Sequence, residues 1–312
     1  MHELIILSKD AAAYSNLIEA RSLPGLKIII STSKPADIEE SSSGEILFGE
    51  PGLFPEILPK LKQLHWVQST WAGVDPLLKS GSRRDYLLTN ARGVFGPAMS
   101  EFVFGYIQFF ERRMLERYQS QMKHVWDGSP NGSLRGRTIG LLGVGSIGKH
   151  LASTARHFGM KVHGYTRTST PLDYLDKVYY EGELQEFSKG LDYVVNCLPG
   201  TVSTRAMLDG NFFSSLSSSV IFINIGRGST VEEKALAEAL KSGRLRAAVL
   251  DVFAEEPLPV DHFLWDIPNL FITSHTAAPS HPPDIVDLFA DNYFRYITDQ
   301  PLPYLVDFSQ GY

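Results

Sequence analysis

The sequence has few of the features that would direct a protein out of the cell or into a membrane. It has 312 residues and one cysteine, Cys197, so no intrachain disulfide can form. A small buried side chain in a reducing compartment is the favoured role for Cys197, and a nucleophilic cysteine is the alternative. The longest apolar runs are far shorter than a membrane span. Residues 1–8 have the pattern of a first strand rather than a secretory signal, so we expect a cytoplasmic protein.

An excess of positive charge is also missing. The chain has 29 Lys and Arg against 35 Asp and Glu, a formal net charge of -6 at pH 7. No run of basic residues could follow a phosphate backbone, so we expect neither nucleic acid nor a membrane as a partner. The sequence has no H-E-x-x-H pattern and no paired cysteines. No metal site is therefore expected.

Short β-branched and apolar runs alternate with longer amphipathic segments, a rhythm typical of βαβ units. The expected strands lie at Leu4–Leu7, Lys27–Ile30, Ile46–Phe48, Leu64–Val67, Thr138–Leu142, Lys161–Tyr165, Tyr193–Leu198, Val220–Ile225, Ala247–Val252 and Leu270–Thr273. One long helix is expected over Ser100–Gln121, capped by Ser100, and a last helix over Asp284–Thr298. The pattern predicts an α/β protein of two domains, the second with a doubly wound parallel sheet.

A glycine motif of the form G-x-G-x-x-G follows one apolar strand and opens a helix. Gly143 permits a tight turn, Gly145 lets a pyrophosphate approach the backbone, and Gly148 lets helix and strand pack closely. Ser146 and Ile147 lie in the first helical turn, where unpaired N–H groups favour phosphate. We predict a dinucleotide site here. A glycine turn that binds nothing and an adenosylmethionine site are the alternatives.

The end of the next strand indicates which dinucleotide is bound. Thr166 stands where NAD-specific sites usually carry an acidic residue for the ribose hydroxyls, and Arg167 and Thr168 follow. The missing carboxylate and the added guanidinium favour a 2′-phosphate, so NADP is the preferred cofactor and NAD the alternative. A solvated arginine on a loop would also fit this position.

Three polar residues follow three successive predicted strands, where parallel sheets bind their ligands. Arg227 can hold a carboxylate through two hydrogen bonds, and His275 can exchange a proton with an adjacent carbonyl oxygen. Glu256 can orient the imidazole and stabilise its protonated form. This set fits hydride transfer to a small 2-oxo acid, or from its 2-hydroxy acid. A surface ion pair, a solvated loop residue and a structural histidine are the alternatives, and a non-catalytic NAD(P)-sensing protein is the alternative for the whole chain.

The segments GLLGVGSIG, NIGRG, DVFAEEPL and SHTAA resemble those of the D-2-hydroxyacid dehydrogenase family, in particular its glyoxylate/hydroxypyruvate reductase branch. The resemblance implies two Rossmann-like or flavodoxin-like parallel-sheet domains with a cleft between them. Residues 1–97 plus 282–312 would form a discontinuous substrate-binding domain, and residues 98–281 the dinucleotide-binding domain. It further implies a homodimer formed through the dinucleotide domains. The apolar helix after Ser100 is a candidate surface for that dimer, and a buried core helix is the alternative.

The same resemblance implies the roles of individual residues. It gives Arg227 the substrate carboxylate, Glu256 the partnership with histidine, and His275 the acid/base role. The backbone of Ala72 and Gly73 would also contact the substrate. Further cofactor contacts are implied for Leu198, Pro199, Ile225 and Asp251. The chain departs from the family at Trp71, where a small residue is common, and at Ser274, where proline is usual.

Overall fold

The computed structural model describes residues 1–40, 42–79, 81–167 and 172–311. The chain folds into two compact units: a first unit, Met1–Val94 with Ser280–Tyr312, and a second unit, Phe95–Pro279. Each unit contains one parallel β-sheet, which confirms the expected α/β class with two parallel-sheet domains.

In these residues the strands are β1 (His2–Leu7), β2 (Leu26–Thr32), β3 (Ile46–Gly49), β4 (Trp66–Ser69), β5 (Leu87–Thr89), β6 (Thr138–Leu142), β7 (Lys161–Tyr165), β8 (Lys177–Tyr179), β9 (Tyr193–Asn196), β10 (Ile221–Asn224), β11 (Ala247–Leu250) and β12 (Leu270–Ile272). The helices are α1 (Ala11–Ala20), α2 (Gly96–Glu111), α3 (Met114–Met122), α4 (Ser146–His157), α5 (Leu184–Phe187), α6 (Gly210–Ser215), α7 (Glu233–Lys241) and α8 (Pro282–Ile297).

The first unit is a five-stranded sheet in the order β2-β1-β3-β4-β5. The last helix of the chain, α8, completes its core. Trp66 of β4 stacks on Phe289 with ring centroids 5.4 Å apart, and Asn292 Nδ2 donates to Gln68 Oε1 at 2.8 Å. The prediction omitted β5, a strand of only three residues.

The second unit is a seven-stranded parallel sheet in the order β12-β11-β10-β9-β6-β7-β8. From β6 the chain proceeds outward to β7 and β8, then returns to β9 on the other side of β6. Alternate residues of the central strands enter two apolar clusters, one containing Val195 and Leu151 and the other Phe222 and Leu236. Helices therefore cover both faces, as expected for a doubly wound sheet. The short edge strand β8 was not predicted.

The helix expected over Ser100–Gln121 is wrong in two respects. The segment forms two helices, α2 and α3, separated at Arg113, whose φ of 52° is left-handed and ends the α2 hydrogen-bond ladder. Ser100 does not cap the helix, because α2 already begins at Gly96 with Pro97 in its first turn. Ser100 is instead buried, and its hydroxyl is 2.7 Å from His150 Nδ1 of α4.

Candidate active site

The glycine turn connects the buried strand β6 to α4. Gly143 has φ +89°, and a Cβ there would lie 3.1 Å from the backbone carbon and oxygen of Cys197. Its N–H donates to the Tyr165 carbonyl at 3.0 Å, which fixes the turn to the end of β7. The strand end and the neighbouring loop thus leave no room for a side chain at Gly143.

The other two glycines of the motif shape the start of α4. Gly148 lies against the turn, because a Cβ there would be 2.4 Å from the Gly143 carbonyl oxygen. Gly145 is the N-cap, and a Cβ there would meet no heavy atom within 4 Å. Ser146 and Ile147 follow in the first turn of this twelve-residue helix. An open N-cap before unpaired N–H groups and the positive end of the helix dipole suits a pyrophosphate.

The end of β7 is held by β8. Thr166 N–H donates to the Tyr179 carbonyl at 2.9 Å. Thr166 is half-buried and Arg167 is exposed at this strand end. Thr168, the third residue predicted here, lies outside the described residues.

The loop after β9 packs against the turn after β10. Leu198 and Ile225 are buried, and Pro199 is half-buried. A Cβ at Gly226 would lie 2.7 Å from the Leu198 carbonyl oxygen, so the two segments are in direct backbone contact. Burial of the Cys197 thiol raises its pKa to about 12. Almost no thiolate is then present at neutral pH, which argues against a nucleophilic cysteine.

Arg227 follows β10 in a turn that packs directly on the next strand-end segment. A Cβ at Gly228 would lie 1.8 Å from the carbonyl carbon of Phe253, so only glycine fits there. The Arg227 guanidinium donates through Nη1 to the Gly226 carbonyl at 2.8 Å. Its positive charge acts to lower the pKa of both Glu256 and His275.

The side chains of Glu256 and His275 lie within hydrogen-bond distance of each other. Glu256 Oε2 lies 2.7 Å from His275 Nδ1, and Glu256 Oε1 accepts the Phe253 N–H at 2.9 Å. A proton on Nδ1 satisfies the carboxylate, because an ionised carboxylate only accepts hydrogen bonds. Nε2 is then the nitrogen that can give or take a proton.

The two pKa values move in opposite directions. The hydrogen bond that His275 donates to Glu256 raises the pKa of His275 above its ordinary value, although burial and the Arg227 charge oppose the shift. Burial acts to raise the pKa of Glu256, but its hydrogen bonds to His275 and Phe253, with the nearby positive charges, lower it overall. The pair therefore favours an imidazolium beside a carboxylate.

Asp251 holds the loop that carries His275. Its buried carboxylate accepts the Thr273 hydroxyl at 2.6 Å and the N–H groups of Thr276 and Ala277 at 2.8 and 3.0 Å. The His275 N–H donates to the Asp251 carbonyl at 2.8 Å. These bonds support the left-handed backbone of His275, whose φ is 55°. The Asp251 N–H donates to the Asn224 carbonyl at 3.1 Å, so the residue also joins this loop to the end of β10.

The predicted substrate loop lies in the first unit, after β4. Ser69 Oγ accepts the Trp71 N–H at 3.0 Å, and Asn90 Nδ2 donates to the Ala72 carbonyl at 2.8 Å. In the described part of the chain, the N–H groups of Ala72 and Gly73 make no hydrogen bond. They remain available to an anion. The Trp71 side chain is 41% exposed.

A buried polar cluster near Arg227 was not predicted from the sequence; it is formed by Asn196, Asn224 and Thr230. The signal was present, because two apolar strands each end in asparagine. Across the described ranges, no three His, Cys, Asp or Glu side chains are grouped to hold a metal ion. In the same ranges, every helix is too short or too polar to span a bilayer.

Comparison with known proteins identifies related chains. Residues 104–277 match the profile of the D-isomer specific 2-hydroxyacid dehydrogenase, NAD binding domain. A glyoxylate/hydroxypyruvate reductase A of Yersinia enterocolitica is 32% identical over 264 residues, 82% of this chain and 84% of the relative. A D-isomer specific 2-hydroxyacid dehydrogenase family protein from Aeromonas salmonicida is 41% identical, with a TM-score of 0.92 over 98% of this chain and 99% of that one. An NADPH-dependent glyoxylate/hydroxypyruvate reductase from Sinorhizobium meliloti, solved with NADP and sulfate, is 28% identical, with a TM-score of 0.87 over the full length of both chains.

Proposed function

Because this chain belongs to the D-isomer specific 2-hydroxyacid dehydrogenase family, we propose that it reduces glyoxylate or hydroxypyruvate with NADPH. Membership makes it an NAD(P)-dependent oxidoreductase acting on a CH–OH group, and favours catalysis over the NAD(P)-sensing alternative. The two substrates are those in the names of the Yersinia and Sinorhizobium relatives. The observation that carries the proposal is the 2.7 Å contact between Glu256 and His275 beside the Arg227 guanidinium.

In the proposed reaction, Arg227 holds the substrate carboxylate and orients the adjacent carbonyl. A nicotinamide dinucleotide held at the glycine turn would supply the hydride for the carbonyl carbon. His275, protonated on both nitrogens, gives the Nε2 proton to the carbonyl oxygen as negative charge develops there. Glu256 stays ionised and stabilises the imidazolium until the proton leaves. In the oxidative direction, neutral His275 takes the hydroxyl proton back.

The two units would divide the binding of the ligands. We assign dinucleotide binding to the second unit, with the pyrophosphate at Gly145, Ser146 and Ile147. Leu198, Pro199, Ile225 and Asp251 would border the nicotinamide half. From the family resemblance, we also assign the backbone of Ala72 and Gly73, in the first unit, to substrate binding.

NADP is the proposed cofactor because Thr166 and Arg167 stand at the end of β7 in place of an acidic residue. Thr168 would complete this set. A guanidinium can pair with a 2′-phosphate, whereas a carboxylate would repel it. The solved Sinorhizobium relative contains NADP, in agreement with this choice. We expect kcat/KM to be higher with NADPH than with NADH, and Arg167→Ala to remove most of that preference. A clear preference for NADH in the unaltered protein would contradict the assignment.

We propose a homodimer formed through α3 and the residues after it. Leu115, Tyr118, Met122 and Trp126 expose 41%, 58%, 64% and 98% of their surfaces, which is unusual for large apolar side chains in one segment. A second copy of the chain would cover them. Light scattering should give twice the chain mass, and Tyr118→Glu should give a monomer. A monomeric unaltered protein would contradict the proposal. A cytoplasmic location, proposed from the lone cysteine, can be checked by cell fractionation.

The test of the reaction is NADPH oxidation, followed by absorbance, with a panel of 2-oxo acids. His275→Ala should lower kcat for glyoxylate or hydroxypyruvate by about 10²- to 10⁴-fold, the usual contribution of a general acid. His65→Ala is the matched control, because that imidazole is 70% exposed and precedes β4 in the other unit. No turnover across the panel despite NADPH binding would instead support the sensing alternative.

A further inference from the structure

Three buried polar side chains lie between the carboxyl ends of β9 and β10. Asn196 and Asn224 are the last residues of these strands and are paired in register. Thr230 follows in the turn that carries Arg227. All three side chains are fully buried, with 0% exposure. Burying polar side chains costs free energy unless hydrogen bonds within the protein replace those made with water.

Asn196 connects the loop after β9 to this turn. Its Oδ1 accepts the Leu198 N–H at 3.1 Å. Its Nδ2 donates one proton to Asn224 Oδ1 at 2.9 Å and the other to Thr230 Oγ1 at 2.7 Å. Both donors of this amide are satisfied inside the protein.

Thr230 joins this hydrogen-bond network to Arg227. Its Oγ1 donates to the Arg227 carbonyl at 2.6 Å, and a hydroxyl has only one proton to donate. The same oxygen must therefore accept from Asn196, so the hydrogen bonds have a fixed direction from Leu198 to Arg227. Asn224 adds a bond from the Gly226 N–H at 3.1 Å and a long one to the Arg227 carbonyl at 3.4 Å.

We propose that Asn196, Asn224 and Thr230 are positioning residues that set the direction of the Arg227 side chain toward the substrate carboxylate. The inference rests on the proposed function, in which Arg227 holds that carboxylate. A bidentate contact needs the guanidinium plane in one orientation, and the backbone at Arg227 decides where that side chain starts. Because Asn196 also holds Leu198, this cluster ties the arginine turn to the loop beside the cofactor.

The test replaces the Thr230 hydroxyl with a methyl group of nearly the same size. Thr230→Val should raise the KM for glyoxylate about 10-fold, because binding of the carboxylate is lost rather than proton transfer. We expect kcat to change less than about 3-fold and the KM for NADPH less than about 2-fold. Inhibition by oxalate, a dicarboxylate that cannot be reduced, should weaken in parallel with the KM for glyoxylate.

Two further variants separate positioning from general loss of structure. Thr230→Ser keeps the hydroxyl and should retain the unaltered KM for glyoxylate. Thr138→Val is the matched control, because it makes the same change at a buried threonine at the amino end of β6. If Thr230→Val does not yield folded protein, Thr230→Cys, with its weakly hydrogen-bonding thiol, takes its place.

The inference is overturned if folded Thr230→Val keeps the unaltered KM for glyoxylate, or if Thr230→Ser is as impaired as Thr230→Val. Equal rises in the KM values for NADPH and for glyoxylate would also overturn it, since they indicate general disorder of the site. Failure of the proposed function looks different, because the unaltered protein would then reduce no 2-oxo acid. In that case, the test is the rise in melting temperature that oxalate gives to the NADPH-loaded protein. Loss of that effect in Thr230→Val but not in Thr230→Ser supports positioning, and equal effects in both refute it.

Discussion

The pair formed by Glu256 and His275 predicts a defect that depends on pH. Glu256→Gln keeps the size of the side chain and an oxygen for the Phe253 N–H, but removes the negative charge 2.7 Å from His275 Nδ1. The hydrogen bond that His275 donates to the Glu256 carboxylate is the largest cause of the raised pKa of His275, so the substitution lowers that pKa. Reduction needs the imidazolium. Its rate is constant below the His275 pKa and falls above it, and in the variant this fall begins at lower pH.

The size of the defect follows from the geometry of the pair. A hydrogen bond to a charged group contributes about 1.5–3 kcal/mol when shielded. The side chains of His275 and Glu256 are 52% and 35% exposed, so solvent screening favours the lower end of that range. About 1.4 kcal/mol corresponds to roughly 10-fold in the population of imidazolium above its pKa. We therefore expect kcat/KM for glyoxylate to be about 10-fold lower near pH 8, and within about 3-fold of the unaltered value near pH 6.

The assay is the initial rate of NADPH oxidation at saturating cofactor across this pH range. Glu255→Gln is the matched control, because Glu255 is an exposed neighbour of the same residue type. The oxidative direction provides a second check. It needs neutral His275, so the rising limb of its pH profile should also move to lower pH in Glu256→Gln. A defect of equal size at every pH, or a larger one near pH 6, would refute the assigned role of Glu256.

Three other substitutions test separate parts of the site. Arg227→Lys replaces a planar fork with a point charge and should raise the KM for glyoxylate about 10- to 100-fold with little change for NADPH; an unchanged KM would contradict carboxylate binding. Gly148→Ala places a Cβ 2.4 Å from the Gly143 carbonyl oxygen and should weaken NADPH binding about 10-fold in a fluorescence titration. Equal affinity would show that the turn can shift. Asp251→Asn leaves buried N–H groups with one acceptor fewer and should lower the free energy of unfolding by about 1–3 kcal/mol, with a lower kcat because the His275 loop loosens. Denaturant titration measures the free energy of unfolding, and steady-state rates give kcat. If both are unaltered, Asp251 does not hold the His275 loop as described.

The residues at strand ends were predictable from the sequence because a parallel sheet brings its carboxyl ends to one edge. This rule indicated that Glu256 and His275 could converge, the family resemblance implied their partnership, and the structure places the two side chains 2.7 Å apart. The glycine motif was equally accessible, since Gly143 and Gly148 lie where the backbone has no room for a Cβ. Both predictions rest on local sequence and on one general property of the fold.

Features that depend on distant partners were not predictable in the same way. The three-residue strand β5 is defined by its pairing with β4. A pattern of three residues is too short to predict that pairing. Ser100 has the chemistry of a helix cap, but its partner His150 lies in another helix. The contacts of Asp251 with the loop around His275 depend on the pairing of β11 with β12, which brings the two segments together. Propensity rules describe neighbours in sequence, and these contacts join residues that are far apart in it.

The reversal of strand order in the second unit has a consequence for how this enzyme could be re-engineered. The residues proposed to choose between NADP and NAD follow β7, on one side of the β6–β9 pair. Arg227, Glu256 and His275 follow β10, β11 and β12, on the other side. Changes that exchange the cofactor therefore alter strands that do not pair with those carrying the proton-transfer groups. Cofactor choice and substrate chemistry can be selected in separate libraries, and the winning variants can then be joined in one gene with nearly additive effects.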